Sequence, residues 1–324
     1  MIPDEIFIKI VRSAVRSPSA HNTQPWLFAK QDDDLCIVPD FSRSLPVADP
    51  DQRELFISLG CAAETAMISA RFYGYRPTLQ INALSRDCPI NISLQKDDLI
   101  EKPALFSYIK VRQTTRNRYA GTAVTHEDIT ALVKVADADR IRFYIGQNEI
   151  QPFGSFIAEA NDIQMSNPKF VNELIHWVRF SKKEAMQKGD GLYTSCSGLP
   201  SFGRVLGSFV LRNAVTAGSE NKRLLNQLKK TAVIALFTTP GNNPENWIKT
   251  GMVFQRFALT AASLKLSHSH LNSPCQITEV RDKMRSYLGL KGEFPQLLIR
   301  LGFSHKMPDS FRRSVNDVII KPKK

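Results

Sequence analysis

The stretch from Ser17 to Trp26, SPSAHNTQPW, lies between a predicted helix and a predicted strand. Its two prolines restrict the backbone, and its serine, asparagine, threonine and glutamine side chains offer hydrogen-bond donors and acceptors. Such a turn suits a planar heterocycle that carries hydrogen-bonding groups along one edge. A turn that satisfies its own hydrogen bonds at a helix end is at least as good an interpretation, because these residue types favour caps and turns.

Local patterns on either side of this turn predict further helices and strands. Apolar spacing predicts a helix over 4–16, and the runs WLFAK and LCIVP predict a hairpin. A long helix is expected over 52–73, with Asp49 or Asp51 as its cap, and another helix from Thr125. Further strands are predicted at RIRFYI, AVIALFTT and PQLLIRLGF, and a second long helix in NWIKTGMVFQRFALTAASLKL.

The two long helices resemble each other in sequence. RELFISLGCAAETAMISARFYGY and NWIKTGMVFQRFALTAASLKLSH align without internal gaps at an offset of 191 residues, which pairs Gly60 with Gly251 and Glu64 with Gln255. This internal similarity favours two similar halves in one chain. The similarity that any two buried, apolar helices share explains the match equally well.

The charge balance of the chain is basic. The chain has 324 residues and a formal net charge of +12. This charge makes nucleic acid a candidate partner. The densest basic runs are SKKEAMQK, NKRLLNQLKK and the tail KPKK, none of them interleaved with aromatic residues, and no nucleic-acid motif appears. A solvated basic surface is therefore preferred, and it would also attract anionic small molecules.

Several absences favour a cytoplasmic protein with no membrane partner. No apolar run approaches the roughly 20 residues of a membrane helix, and the N-terminus lacks a signal-peptide apolar block. The five cysteines are scattered, odd in number and without a CxxC pair, so neither a disulfide framework nor a zinc site is supported. His268 and His270 could share a strand face, but no third metal ligand is nearby, so a structural or solvated role is preferred.

Two short segments carry residues suited to phosphate binding. The motifs GxGxxG, GxxxxGK[ST], GxSxG and HExxH are absent, which disfavours classical nucleotide folds, serine hydrolases and zincins. In RQTTR, an extended backbone would place Arg112, Thr114 and Arg116 on one face, and guanidinium groups with a hydroxyl form a natural phosphate cradle. SFRRS adds Arg312 and Arg313. Taken singly, each segment is more often a solvated, charged turn.

Together these segments resemble the FMN-dependent nitroreductase superfamily. SPSAHNTQPWLF is similar to its Asn-x-Gln-Pro-Trp turn, RQTTRNRYAGTAVTHEDITALV to its phosphate-binding arginine segment, NWIKTGMVFQRFALTAASLKL to its central helix, and RRSVNDVI to its closing basic motif. Because the turn precedes the arginine segment, the order is similar to that of the duplicated, fused Acg-like branch. The resemblance covers nearly the whole chain, except about 165–229.

The resemblance implies an α+β fold, with a mixed β-sheet between helices and two fused, similar halves. We accordingly predict an N-terminal half at 1–111 and a C-terminal half at 112–324, which together form a pseudo-dimer with FMN in the cleft between them. The insertion at about 165–229 is predicted to form a lid over that cleft, and a helical layer far from the cleft is the alternative. Its helix FVNELIHWVRF would bury a face that includes Trp177 and Val178, and GDGLYTSCSGLPSFG would be mobile.

The resemblance also assigns roles to individual residues. Arg112 and Thr114 would hold the FMN phosphate, with help from Arg312 or Arg313. Arg116 would face the pyrimidine edge of the flavin, where positive charge tunes the reduction potential. The residues that would line the ring from the other half are Pro18, Ser19, Asn22 and Gln24. The residues that would offer backbone groups near the reactive nitrogen of the flavin are Leu271 and Asn272.

The implied activity is that of an NAD(P)H-linked oxidoreductase. NADH or NADPH would donate electrons, and a nitroaromatic or quinone-type small molecule would accept them. No catalytic residue is assigned, because such chemistry needs orientation over the ring and exclusion of water more than a protein acid or base. The alternatives are a protein that holds FMN without turnover and a basic nucleic-acid-binding protein without flavin.

Overall fold

The computed structural model describes residues 2–85, 87–135 and 140–321. Most of the basic tail KPKK therefore lies outside the described residues. The helices are α1 (Asp4–Ala14), α2 (Arg53–Phe72), α3 (His126–Val135), α4 (Gln147–Ile150), α5 (Phe153–Ser166), α6 (Pro168–Trp177), α7 (Lys182–Lys188), α8 (Arg204–Asn213), α9 (Ala217–Leu228), α10 (Pro244–Ser263), α11 (Ser273–Gln276) and α12 (Thr278–Tyr287). The strands are β1 (Trp26–Gln31), β2 (Asp34–Pro39), β3 (Tyr75–Ile81), β4 (Ile90–Lys96), β5 (Ile141–Ile145), β6 (Val178–Arg179), β7 (Leu192–Tyr193), β8 (Val233–Thr239), β9 (Ser267–His270), β10 (Phe294–Gly302) and β11 (Ile319–Ile320).

The larger sheets combine with helices in an α+β fold, as predicted, but the strands form two sheets rather than one. The first sheet has the order β11-β1-β2-β4-β3 and is mixed, because β11 runs parallel to β1 while the other neighbours are antiparallel. The second sheet has the order β5-β8-β10-β9 and is antiparallel throughout. Since β11 comes from the C-terminal end and joins the N-terminal sheet, the predicted halves at 1–111 and 112–324 are interleaved.

The two sheets share one hydrophobic core, and the long helices α2 and α10 lie at its centre. Phe28 of β1 and Phe237 of β8 belong to the same cluster of buried side chains. Capping groups that the sequence supplies begin both helices. The Asp49 carboxylate accepts hydrogen bonds from two backbone N–H groups at the start of α2, at 2.9 Å each, and the Asn243 side chain accepts one at the start of α10. Asp49, rather than Asp51, is thus the cap of α2.

Helix α2 corrects one expectation about the membrane. Its 20 residues include a window with a mean hydropathy of 1.3, which meets the length and composition of a membrane span, although no such apolar run was expected. Within the fold, 83% of that window is buried. The apolar character of α2 is therefore accounted for by its place in the core.

A disulfide bond joins Cys36 of β2 to Cys88, contrary to the expectation that disulfides are not supported. The pairing of β2 with β4 brings the two Cα atoms to 5.6 Å, which is within the range that a disulfide spans. A separation of 52 residues hides this proximity in the sequence. The cysteine pattern therefore no longer supports a reduced compartment, and the cytoplasmic location stays a prediction.

The predicted insertion at 165–229 contains α6 to α9 and the two-stranded sheet β6-β7. Helix α6 ends at Trp177, so Val178 lies in β6, opposite Leu192, and not on the predicted helical face. Trp177 is buried against Leu45 and Ala48 of the N-terminal region. Packing against the rest of the fold therefore fixes the first helix of the insertion.

Candidate functional site

A cavity of about 340 Å³ brings together segments that are far apart in the sequence. Its walls come from the turn after α1, the segment before α3, helices α5 and α9, the junction of β9 with α11, and the C-terminal segment. The volume lies within the range of small-molecule and cofactor sites. Most of the predicted site residues line this cavity, and we describe them segment by segment.

The turn after α1 holds an unusual backbone conformation. His21, Asn22 and Gln24 have φ values of 45°, 54° and 53°, in the left-handed region that non-glycine residues seldom adopt. Pro18, Ser19 and Asn22 line the cavity, as predicted. The Ser19 hydroxyl also accepts a hydrogen bond from the Gln24 backbone N–H at 2.9 Å, which closes the turn.

Hydrogen bonds to two distant segments hold this conformation. The Asn22 side chain donates to the carbonyl oxygens of Gly191, at 3.0 Å, and Phe311, at 3.1 Å. The Gln24 side chain donates to the carbonyl oxygen of Gly189 at 2.9 Å and accepts from the Arg313 N–H at 2.9 Å. Gln24 is not among the residues that line the cavity, and its contact with the ring stays a prediction. Its amide ties the insertion and the C-terminal segment to the turn.

The predicted phosphate segment lies against β9, where a bridge pairs Thr114 with His268. Arg112, Thr114 and Arg116 all line the cavity, as the alternating pattern of an extended segment predicts. Burial lowers the pKa of Arg116. The Gln227 side chain of α9 donates to the Arg116 carbonyl oxygen at 2.7 Å, so the insertion also fixes this segment.

Three arginines converge at one end of the cavity. Arg112 is only 7% exposed and donates one hydrogen bond, to the Arg16 carbonyl oxygen at 3.1 Å, while its Nε and Nη1 atoms are buried without a partner. Burial, and then the charge of Arg16, lower the pKa of Arg112 to about 10. Burial, followed by the charges of Arg112 and Arg16, lowers the pKa of Arg312 to about 9, and its Nε is also buried without a partner. Guanidinium groups in this situation are suited to an anion.

Neighbouring arginines at the C-terminal end have different surroundings. Arg312 lines the cavity. Arg313 does not line it, and its guanidinium donates to the Gln24 carbonyl oxygen at 3.1 Å, to the Asp317 carbonyl oxygen at 2.8 Å, and to Asp40 at 3.3 Å. The sequence left both arginines as candidates for the phosphate, and Arg312 is the one of the two that lines the cavity.

Leu271 and Asn272 line the opposite part of the cavity, but their polar groups are largely occupied. The Leu271 N–H donates to the Leu298 carbonyl oxygen at 2.8 Å, so it does not offer the free backbone donor that we expected. The Asn272 side chain donates to Glu54 and accepts from the Leu298 N–H at 3.0 Å. Gln276 also donates to Glu54, at 3.0 Å, and the result is a fixed polar wall.

Sequence reasoning missed several residues that line the cavity. Arg16 lies directly before the quoted turn, His21 within it, and His270 within the SHSH segment. Burial, and then Arg116, lower the pKa of His21 to about 4 and that of His270 to about 3, so both imidazoles are neutral at pH 7. Histidines near paired arginines could have signalled these positions. Among the residues that the structure describes, no group of three potential metal ligands occurs.

The insertion forms part of the cavity wall. Its lining residues are Phe170, Leu192, Glu220, Arg223, Leu224 and Gln227. The first part of the glycine- and serine-rich stretch is packed rather than mobile, because Asp190, Thr194 and Cys196 are buried. The buried Arg179 side chain donates to the Asp190 carboxylate at 2.6 Å, and this contact fixes the stretch from inside the insertion.

Known proteins resemble this chain over nearly its whole length. No protein-family profile matches it. A Mycobacterium tuberculosis protein named "Putative NAD(P)H nitroreductase Rv3131" is 25% identical, with 99% of this chain and 93% of that protein covered. A second protein of that organism, "Putative NAD(P)H nitroreductase acg", is 20% identical, with 98% and 96% covered. A crystal structure from Anabaena variabilis, titled "a putative nitroreductase", matches with a TM-score of 0.51 and 12% identity, with 94% and 90% covered.

The chain is thus similar over nearly its whole length to proteins named as nitroreductases, and its fold resembles that of a nitroreductase structure. Its nitroreductase fold explains how one cavity collects residues from both ends of the sequence. The C-terminal end returns to β1 through β11, and Arg312 lines the cavity together with the turn after α1 and the arginine segment. One chain thus supplies every wall that we describe.

Proposed function

We propose that this chain is an FMN-dependent oxidoreductase that takes electrons from NADH or NADPH and passes them to a nitroaromatic or quinone-type acceptor. The observation that carries the proposal is the set of buried guanidinium nitrogens of Arg112 and Arg312 that face the cavity without a partner. Burial and neighbouring arginine charges lower the pKa values of Arg112 and Arg312, which favours a bound anion, and a phosphate monoester provides about two negative charges at pH 7. The names of the M. tuberculosis relatives agree with this activity.

The residues of the cavity fit FMN in both charge and shape. Arg112, Thr114 and Arg312 would hold the phosphate, and Arg16 would add a charge that the sequence did not suggest. Arg116 and the turn residues Pro18, Ser19 and Asn22 would lie along the flavin ring, with Leu271 and Asn272 on the opposite wall. Bound FMN would supply two-electron transfer between the nicotinamide and the acceptor.

The protein's own contribution is to bind, to orient and to exclude water. His21 and His270 are neutral at pH 7 because of their lowered pKa values, so they offer no imidazolium as an acid. The apolar side chains of Phe170, Leu192 and Leu224 cover the cavity from the insertion. We therefore assign no catalytic proton donor, and reactivity would depend on how the walls align the two substrates.

A protein that holds FMN without turnover is the second candidate. The observation that favours it is the set of hydrogen bonds from Asn22 and Gln24 to Gly191 and Gly189, which fasten the insertion over the turn. An insertion that stays closed would keep nicotinamide away from the flavin. We propose that residues 165–229 act as a lid, and that the halves 1–111 and 112–324 form a pseudo-dimer within one chain.

The first test separates the phosphate site from the ring site. FMN and riboflavin are titrated into the flavin-free protein and into Arg112→Ala, with flavin fluorescence as the measurement. Loss of a charge-assisted hydrogen bond should weaken FMN about ten- to a hundredfold and leave riboflavin nearly unchanged. An equal loss for both flavins, or no loss for FMN, would contradict the phosphate assignment.

The second test separates the two candidate functions. NADH or NADPH is added without oxygen to the FMN-loaded protein, and the flavin absorbance is followed. Bleaching, followed by recovery when a quinone is added, supports the oxidoreductase. A yellow protein that neither nicotinamide bleaches supports the holding protein.

A further inference from the structure

Helix α8 in the insertion exposes an apolar face that nothing in the described chain covers. Val205, Leu206 and Phe209 are 87%, 53% and 64% exposed. Gly207 packs against the Phe180 ring on the inner side of the helix, where an added Cβ would clash with that ring. On the helical wheel Val205 and Phe209 lie roughly opposite Gly207, and Leu206 lies about 100° from it, so Val205 and Phe209 point away from the fold.

The segments that precede α8 also expose apolar side chains. Met186 of α7 is 61% exposed, and Leu199 in the loop before α8 is 56% exposed. Of the fourteen large hydrophobic side chains that are exposed in the described residues, five fall within residues 186–209. Single exposed apolar residues are normal, but a concentration of this kind marks an interaction surface.

The charges around this apolar face are basic. Residues 180–216 contain five lysines and arginines but only two acids. Both acids are paired, because Glu184 forms an ion pair with Arg204, and the buried Asp190 pairs with Arg179 and Arg43. The exposed basic residues are Lys182, Lys183, Lys188 and Arg212, in addition to the paired Arg204. The exposed residues of this region thus combine apolar side chains with an excess of positive charge.

We propose that this surface, formed by α7, α8 and the loop between them, docks onto an anionic membrane surface. Apolar side chains beside lysines and arginines are suited to the boundary between lipid headgroups and acyl chains. Each lysine or arginine near the surface adds electrostatic attraction to anionic lipid. A second copy of this chain fits less well, since a two-fold contact would place the same basic residues opposite each other. Peripheral docking does not require α2 to leave the hydrophobic core. It differs from the expectation, made from the sequence, that the protein has no membrane partner.

The test uses the full chain and vesicles of stated composition. Co-sedimentation is measured with vesicles of phosphatidylcholine alone and with vesicles that contain about 30% phosphatidylglycerol, at low and high salt. We expect binding only to the anionic vesicles, and weaker binding at high salt. The double variant Val205→Ser/Phe209→Ser should bind at least about tenfold more weakly. The triple variant Lys182→Gln/Lys183→Gln/Lys188→Gln should bind weakly at both salt concentrations.

Leu99→Ser is the matched control, because Leu99 is 95% exposed in a loop outside this surface and its loss should leave binding unchanged. Thermal unfolding of each variant verifies that the fold is intact, as expected for exposed positions. Equal binding to both kinds of vesicle, or unchanged binding of the double variant, would overturn the proposal. Sedimentation that shows a dimer abolished by Phe209→Ser, without vesicle binding, would identify the surface as a contact between copies and would also overturn it.

Discussion

Gly60 of α2 and Gly251 of α10 occupy equivalent places in one helix–helix contact. A Cβ atom on Gly60 would lie far inside contact distance of the Ile248 carbonyl oxygen, and a Cβ on Gly251 equally close to the Ile57 carbonyl oxygen. The offset of 191 residues found in the sequence relates Gly60 to Gly251 and Ile57 to Ile248, so it turns one contact into the other. Such reciprocal contacts are typical of a two-fold interface, here within one chain, and they support the proposal of two similar halves.

Replacing either glycine by alanine should destabilise the protein. Because the nearest atoms are backbone, the helices must separate, and we expect a loss of about 1–3 kcal/mol or more in the free energy of unfolding. Urea unfolding measures the change. Gly218→Ala is the control, since nothing lies within 4 Å of its added Cβ in the exposed first turn of α9, and alanine should stabilise it by up to about 1 kcal/mol. Unchanged stability of Gly60→Ala would contradict the close contact.

Arg312 and Arg313 should differ in their effect on flavin affinity. Arg312→Ala removes a guanidinium that faces the cavity, so we expect the Kd for FMN to rise about ten- to a hundredfold, with little change for riboflavin. Arg313→Ala removes contacts to Asp40 and Gln24 outside the cavity, and the Kd should change by less than about threefold. Fluorescence titration of both variants checks the difference. A larger loss of FMN affinity in Arg313→Ala would reverse the assignment.

Two glycines of the insertion allow a matched test of the lid. Gly191 and Gly198 both have positive φ, at 75° and 72°, so alanine is strained at either position. A Cβ on Gly191 would also clash with the Trp177 carbonyl oxygen, whereas the nearest atom to one on Gly198 is a methionine methyl group at 3.6 Å. Gly191→Ala should therefore displace the segment bonded to Asn22.

The expected result is faster release of FMN from Gly191→Ala, by about tenfold, with a much smaller change for Gly198→Ala. Stopped-flow fluorescence after dilution measures the two rates, and circular dichroism verifies that both variants are folded. If both variants release FMN at the same rate, the insertion does not act as a lid.

Two buried carboxyl groups should contribute stability that is lost as the pH rises from about 4 to about 7, whereas His21 and His270, whose pKa values are lowered by burial, contribute in the opposite direction. Burial raises the pKa of Asp49 to about 7, with Glu54 as a second cause, and burial raises that of Glu64 to about 7 despite the opposing charge of Arg256. Both pKa values are raised above those of the unfolded chain, so the folded state binds more protons between these pH values. Each carboxyl therefore makes the slope of the free energy of unfolding against pH more negative, by at most about 1.4 kcal/mol per pH unit.

Glu64→Gln removes the contribution of Glu64, so the slope of the free energy of unfolding against pH should become more positive than in the unchanged protein. The equivalent position in α10 is Gln255, so a glutamine side chain suits this kind of site. Glu245→Gln is the control, because Glu245 is exposed and its pKa is lowered by Lys249 rather than raised. Unfolding in urea at several pH values measures the slopes. A slope of Glu64→Gln that equals that of the unchanged protein would contradict the raised pKa of Glu64.

The sequence by itself determined the features that depend on near neighbours. Strand-like apolar runs predicted the β1–β2 hairpin, the aspartates before α2 predicted a capped helix start, and RQTTR predicted the segment whose Arg112, Thr114 and Arg116 line the cavity. These features are local because capping groups and strand periodicity act over only a few residues. The offset of 191 residues was also visible in the sequence. The reciprocal contact of Gly60 and Gly251 between α2 and α10, which explains that offset, was not.

Only the tertiary structure decided which of several suitable residues face the cavity. Arg312 and Arg313 have the same chemistry, and Arg313 is turned away because Asp40 and Gln24 hold it. Strand pairing brings Cys36 and Cys88 together across 52 residues. The Gln24 side-chain amide donates a hydrogen bond to the Gly189 carbonyl oxygen in the insertion. Such choices depend on which distant segments pack together, and packing is set by the shape and burial of the whole core rather than by local pattern.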